Sequence, residues 1–463
     1  EGLSEADMNT LGEALDGVSP GRADLSALGE RLDALGSRAS FDRRAVLRMT
    51  RVAGVLDDYR QRISEGRDGL GRARFGVVVA RGRIAESMTR FPRHPYFAPL
   101  TVAPTAQGVE LARGIARGLV AEHLTLVRSL RRAALEAESP PDRADRLEAI
   151  ESTGWEDLEA EERAACPPLL LLGDETSLLE QGSLSLARLL DSGLPVKVIL
   201  LDGRGRLASG PEPALVAIAH RSAFVLAASP AYPDHLSRGL TDALAWPGPA
   251  LVHIHAPSPE RHGFSAAATL DRARLAVEGR AHVLLRYDPG APGLFGLRAS
   301  MEDNPGLDQD WGGASFAEWA AGEARFAHHF EDLEGDGGLA LDEWLALAAS
   351  ERGGKVPFLE IDERRLAVSS RMAEAAGERL AVWNTLRELT GAVSPFTERI
   401  RESLTEELQA ERQAEIDAVK SEYESRIAEV SAGADQQALD RLTDRLMTLS
   451  GFDASRAPKG NGA

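Results

Sequence analysis

Between residues 167 and 289 the chain alternates short apolar runs with amphipathic stretches of helical length, and this constrains the fold more than any other feature. The runs predict strands over 168–173, 196–201, 222–229, 250–256 and 282–287. Helices fit between them near 180–192, 212–220, 233–246 and 266–279. The alternation predicts an α/β fold, a doubly wound, mostly parallel sheet with helices on both faces. The first run stops at Gly173, Asp174 and Glu175, and the second at Asp202 and the loop running through Ser209 to Gly210. Two buried strands that each end in an acidic residue put carboxylates at one sheet edge. That edge is where cofactors sit in open α/β folds.

At 463 residues the chain is too long for one core. Residues 1–72 read as a helical segment, with Leu25, Leu28, Leu32 and Leu35 at helical spacing. The α/β domain spans 73–315, with short strands near 75–80 and 100–103, a long helix over 105–138 and an acidic helical insert at 139–166. A helical subdomain follows at 316–394. A long charged helix over 395–430 and a shorter one over 439–449 form a segment at 395–450. The tail, 451–463, reads as disordered.

Lys and Arg total 53 against 72 Asp and Glu, a formal charge of −19. An acidic surface argues against nucleic-acid backbones and anionic membranes as partners. No apolar run approaches the ~18 residues of a membrane-spanning helix. The lone cysteine, Cys166, rules out an intrachain disulfide and an iron–sulfur cluster held by this chain alone. It reads as a buried hydrophobe, with a reactive thiol as the alternative. This composition suits the cytoplasm. The first residue is Glu1 rather than Met, so the chain reads as processed or cut from something longer.

Five phrases in order carry a resemblance. They are Gly173-Asp174-Glu175, the step from Leu189 to Val198, the loop from Asp202 to Gly210, Trp246-Pro247-Gly248-Pro249 with Ala256-Pro257, and Leu285-Arg286-Tyr287-Asp288-Pro289. Together they resemble the C-terminal thiamine-diphosphate-binding domain of pyruvate:ferredoxin oxidoreductase and related 2-oxoacid oxidoreductases. The resemblance implies a thiamine-diphosphate fold with Mg²⁺ bridging the diphosphate to the protein. The cofactor-binding residues it implies are Gly173, Asp174, Glu175, Asp202, Ser209 and Gly210. It also implies partners: other domains or subunits of an oxidoreductase complex that carry iron–sulfur clusters. A homodimer stays open.

The sequence departs from that pattern at the site. Asp174 keeps the place of the first metal ligand. Glu175 stands where glycine would adjoin the diphosphate, and a carboxylate there is repulsive. The asparagine ligand falls on Ala208, and Arg204 and Arg206 replace uncharged residues. Ser258-Pro259 stands where the family has a cysteine motif. The reading that follows is a divergent, non-catalytic module of such a complex. The alternative is an active module passing electrons from a 2-oxoacid to clusters elsewhere, and an anionic ligand held by Arg204 and Arg206 is another.

Three further features stand apart. Asp332, Glu334, Asp336 and Glu343, with Gly337 and Leu339, have the spacing of a calcium loop between helices, against the alternative of a solvated acidic turn. This motivates a calcium-dependent interaction module as a third reading. His253 and His255 share one face of a strand and, with Asp234 or His262, offer metal ligands; hydrogen bonding within the sheet is the blander reading. His328 and His329 read as structural, at a helix end. The long helix carries Ile400, Leu404, Leu408, Ile416, Val419, Tyr423, Ile427 and Val430 in a stripe, which fits packing on the body or a coiled-coil arm.

Overall fold

The apolar runs form the strands of one large sheet in a computed structural model of the chain. The structure describes all residues except 1–4, 16–24, 35–41, 67–68, 89–97, 139, 204–206, 208–211, 334–336, 362–363 and 451–463. The strands are β1 (Gly76–Val79), β2 (Leu100–Val102), β3 (Leu169–Asp174), β4 (Val196–Asp202), β5 (Phe224–Ala228), β6 (Ala250–His255), β7 (Leu285–Tyr287) and β8 (Ala299–Ser300). Their spatial order is β2-β1-β3-β4-β6-β5-β7-β8. Pairing is parallel from β2 through β5 and antiparallel at β5–β7 and β7–β8.

The period of two along each strand builds the two faces. Leu171, Val198, Val225 and Leu251 face a core shared with the helix Gly108–Glu138 and with Leu186, Leu189, Ala217 and Trp383. Their neighbours Leu172, Phe224 and Val252 face the opposite side, with Ala85 or Ala243. Helices therefore cover both faces, as the alternation predicts.

Several expectations are corrected. The strand expected over 282–287 is present as Leu285–Tyr287, and it is one of the antiparallel members of the mostly parallel sheet. Helix Thr269–Glu278 packs where β5 ends, with Ser229 donating to the Ala273 carbonyl at 3.4 Å, so the chain enters β7 from that edge. The helix expected over 180–192 is a π-helical turn, Thr176–Glu180, followed by Ser183–Leu190, with Gly182 between. Residues 316–390 are not only helical. Strands β9 (Phe330–Asp332), β10 (Leu339–Ala340), β11 (Pro357–Ile361) and β12 (Arg364–Val368) form a second sheet, ordered β10-β11-β12-β9. Its alternating strands are too short to stand out from helical spacing. The sheet packs on a core containing Phe316, Trp319, Trp344 and Met372.

By its contacts the chain divides into two compact units, 1–392 and 393–463. Among its described residues the second unit has one helix, Pro395–Leu449, of 55 residues. The break expected before 439 does not occur: Gly433 lies within the helix and no proline interrupts it. The expected disordered tail lies outside the described residues. No described helix is long and apolar enough to cross a membrane.

Candidate functional site

Strand order locates the crevice. From β1 the chain turns toward β2, and from β3 it turns the opposite way, toward β4. These neighbours diverge at their carboxyl ends, which makes the β1/β3 edge a topological switch point. Asp174, the last residue of β3, stands there. Its Oδ1 accepts the Ser177 amide at 2.9 Å and its Oδ2 the Arg83 amide at 3.3 Å. Those amides open the two diverging helical segments, Thr176–Glu180 and Arg83–Met88. The places where an anionic ligand meets helix N-termini are thus taken by a side chain of the protein.

Two glycines allow this closeness. A Cβ on Gly82 would lie 2.7 Å from Asp174 Oδ2. One on Gly173 would lie 2.6 Å from Leu178 Cγ. Glu175 is buried, with Arg261 Nη2 at 3.6 Å from its carboxylate.

Asp202 ends β4, adjacent to β3. Its Oδ2 accepts from His253 Nε2 at 3.1 Å, and its backbone carbonyl accepts the Ala256 amide at 2.7 Å. His253 Nδ1 lies 3.9 Å from Glu212 Oε1 without a hydrogen bond, while Glu212 Oε2 accepts from Arg379 Nη1 at 3.2 Å. One imidazole therefore lies between Asp202, which it hydrogen-bonds, and Glu212, the residues that flank the stretch containing Ser209 and Gly210. Those two residues, with Arg204, Arg206 and Ala208, lie outside the described residues. The stub of the loop is anchored too: the Gly203 carbonyl accepts from Arg325 Nη1 at 2.9 Å.

Behind this edge the structure gathers more histidines than the sequence suggested. His282 meets His253 edge-on at 4.8 Å between ring centroids and stacks on His255 at 5.5 Å. His262 Nδ1 accepts the Ser258 amide at 3.3 Å, which places its proton on Nε2, and Glu323 Oε2 lies 3.7 Å from Nδ1. His255 Nε2, His262 Nε2 and His282 Nε2 are buried without hydrogen-bond partners. Burial pulls His255 down to about 4 and His262 to about 3, and holds His282 well below the ordinary histidine range. Burial also raises Glu323, against the pull of Arg325 beside it. Burial thus favours the neutral form of these imidazoles.

His282, Glu212, Glu323, Arg261 and Arg325 were not legible in the sequence, since no spacing links them to His253. Asp234 does not belong to this group; the nearby His235 instead meets Asp303 at 2.8 Å. Among the described residues, no three His, Cys, Asp or Glu side chains converge as metal ligands.

The other candidates stand elsewhere. The acidic loop does not follow a helix. A 3₁₀ segment, Ala324–His329, leads directly into β9, and the Asp332 carboxylate accepts two bonds from Arg364 Nη2 at 2.6 and 2.8 Å. Glu334 and Asp336 lie outside the described residues. His329 Nδ1 meets Ser369 Oγ at 2.7 Å. Cys166 is buried, and burial pushes its thiol up to about 11.

No protein-family model matches the chain. Over 76 residues it is 34% identical to pyruvate synthase subunit PorB of Methanothermobacter thermautotrophicus, covering 16% of this chain and 26% of that one. Over 75 residues it is 36% identical to ketoisovalerate oxidoreductase subunit VorB of Pyrococcus abyssi, covering 16% and 24%. The chain thus matches about a quarter of the length of these curated relatives. The solved 2-oxoglutarate:ferredoxin oxidoreductase from Magnetococcus marinus aligns with 46% of this chain and 60% of that one at 13% identity. Its TM-score of 0.25 carries no argument. The chain is similar, over this limited stretch, to subunits of 2-oxoacid oxidoreductases.

Proposed function

We propose that the chain is a divergent, non-catalytic relative of the thiamine-diphosphate domain, working in the cytoplasm beside other subunits of a 2-oxoacid oxidoreductase complex. The observation that carries this reading is the state of Asp174. The carboxylate in the place of a metal ligand accepts two backbone amides at the switch point instead. Glu175 adds a second, buried carboxylate next to it. A carboxylate at Glu175 within about 4 Å of a diphosphate opposes it by a few kcal/mol at an effective dielectric constant near 20. Asp202 is hydrogen-bonded to His253. These residues do not fit a magnesium diphosphate. The partial matches to PorB and VorB support the family context, and the iron–sulfur clusters of such a complex would lie in other chains.

Calorimetry with thiamine diphosphate and Mg²⁺ tests the reading. We expect no binding tighter than about 100 μM, roughly 5.5 kcal/mol. Tighter binding that disappears in Asp174→Ala overturns it in favour of an active module.

A further inference from the structure

Three cavities share Arg72 at the amino ends of β1 and β3, the end of the sheet opposite Asp174. The largest, about 370 Å³, is lined by Ile63, His123, Leu126 and Cys166 together with Arg72. One of about 250 Å³ runs along Phe75, Ile115, Leu119 and Leu169. One of about 110 Å³ reaches Glu122. Ile115, Leu119, Glu122, His123 and Leu126 recur at helical spacing on Gly108–Glu138, so one helix face lines all three. The largest falls in the size range of small-molecule sites, about 300–1,000 Å³.

A tight turn delivers Arg72. Helix Arg43–Ser64 ends there, and the amides of Gly71 and Arg72 donate to the carbonyls of Glu65 and Ile63 at 2.7 and 2.9 Å. Gly71 has a φ of +71°, and a Cβ on it would lie 2.5 Å from the Ile63 carbonyl oxygen, so the turn requires glycine. Arg72 is half-buried. Among the described residues no side-chain hydrogen bond or ion pair reaches its guanidinium, and Nη2 is buried without a partner. A guanidinium without an acceptor beside an apolar wall is costly, and its planar fork matches a carboxylate.

The neighbours set the charge of an occupant. Burial lowers the pKa of His123 and the Arg72 charge adds to the effect, so the ring, with Nε2 2.7 Å from the Glu162 carbonyl, is neutral near pH 7. Burial keeps the Cys166 thiol protonated. Arg74 and Glu122, both exposed, add one charge of each sign. One positive charge is left over, which fits a monoanion, while Glu122 opposes a dianion. We propose that this cavity binds an aliphatic monocarboxylate, with the carboxylate on Arg72 and the hydrocarbon chain along Ile115, Leu119 and Leu169.

Calorimetry of the full chain with decanoate is the test. Binding at about 100 μM or tighter is expected, and none at about 1 mM overturns the proposal. Decanol, which lacks the charge, and decyl phosphate, which carries more of it, are each expected to bind about 10-fold more weakly or worse. Either one within about threefold of decanoate overturns the proposal, decanol by showing an apolar crevice only. Arg72→Met is expected to weaken decanoate about 10-fold or more, with the thermal transition of the free chain unmoved. Glu122→Gln, at an exposed position that does not threaten folding, is expected to tighten decanoate about threefold or more. An unchanged decanoate affinity in either variant overturns the proposal.

Discussion

Lowering the pH from 7 to 5 should destabilise residues 1–392 by several kcal/mol, and the histidines behind the β4/β6 edge set the size of the effect. An imidazole in an unfolded chain titrates near 6.5. In the fold His255 lies at about 4, His262 at about 3 and His282 well below the ordinary value, all through burial. The unfolded chain therefore binds more protons than the native one once the pH falls below about 6.5. Linkage makes stability fall with it: the contribution is whole above about pH 7 and is lost progressively on acidification. His255 and His262 each account for about 2 kcal/mol between pH 7 and 5, about 4 kcal/mol together, and His282 adds a loss of the same sign. Domains are stable by only about 5–15 kcal/mol, so unfolding should begin near pH 5. Urea titrations at pH 7, 6 and 5, read by the fluorescence of buried Trp319 and Trp383, measure the effect. His255→Phe keeps a ring against His282 and removes one titration, so its loss over the same range should be smaller by about 2 kcal/mol. Equal stability at pH 7 and 5, or a loss unchanged in His255→Phe, would refute the reasoning.

Three substitutions test other contacts. Asp174→Ala should cost about 1–2 kcal/mol in urea unfolding, because two amides lose their acceptor, while Asp174→Asn, which keeps an acceptor, should cost less. Gly82→Ala drives a methyl into the Asp174 carboxylate and should cost about 1–3 kcal/mol by the same assay. Arg280 is fully buried, donates to the carbonyls of Asp310 and Gly306 at 2.9 and 2.8 Å, and stacks on Trp383 at 3.7 Å. Arg280→Lys cannot reproduce that planar fork and should lower the thermal midpoint by several degrees, equivalent to about 2–4 kcal/mol.

The sequence by itself determined the large sheet, because a buried parallel strand must be a short continuous apolar run and the helices between such runs keep their own period. It also put Asp174 and Asp202 at one edge, since both directly end such runs. It did not reveal the second sheet, whose strands β9 to β12 are short and carry charged residues such as Glu331, Glu360 and Arg365. The antiparallel turn at β7 was equally hidden, because an apolar run has no direction. Only the tertiary structure decided what the acidic residues do. Hydrogen bonds between Asp174 and the amides of Arg83 and Ser177 depend on β1 lying beside β3, although 91 residues separate Arg83 from Asp174. The neutral imidazole group assembles from β6, the turn at His262 and the entry to β7, which no local pattern links. Burial and the choice of hydrogen-bond partner follow from strand order, and strand order is settled by packing the whole chain.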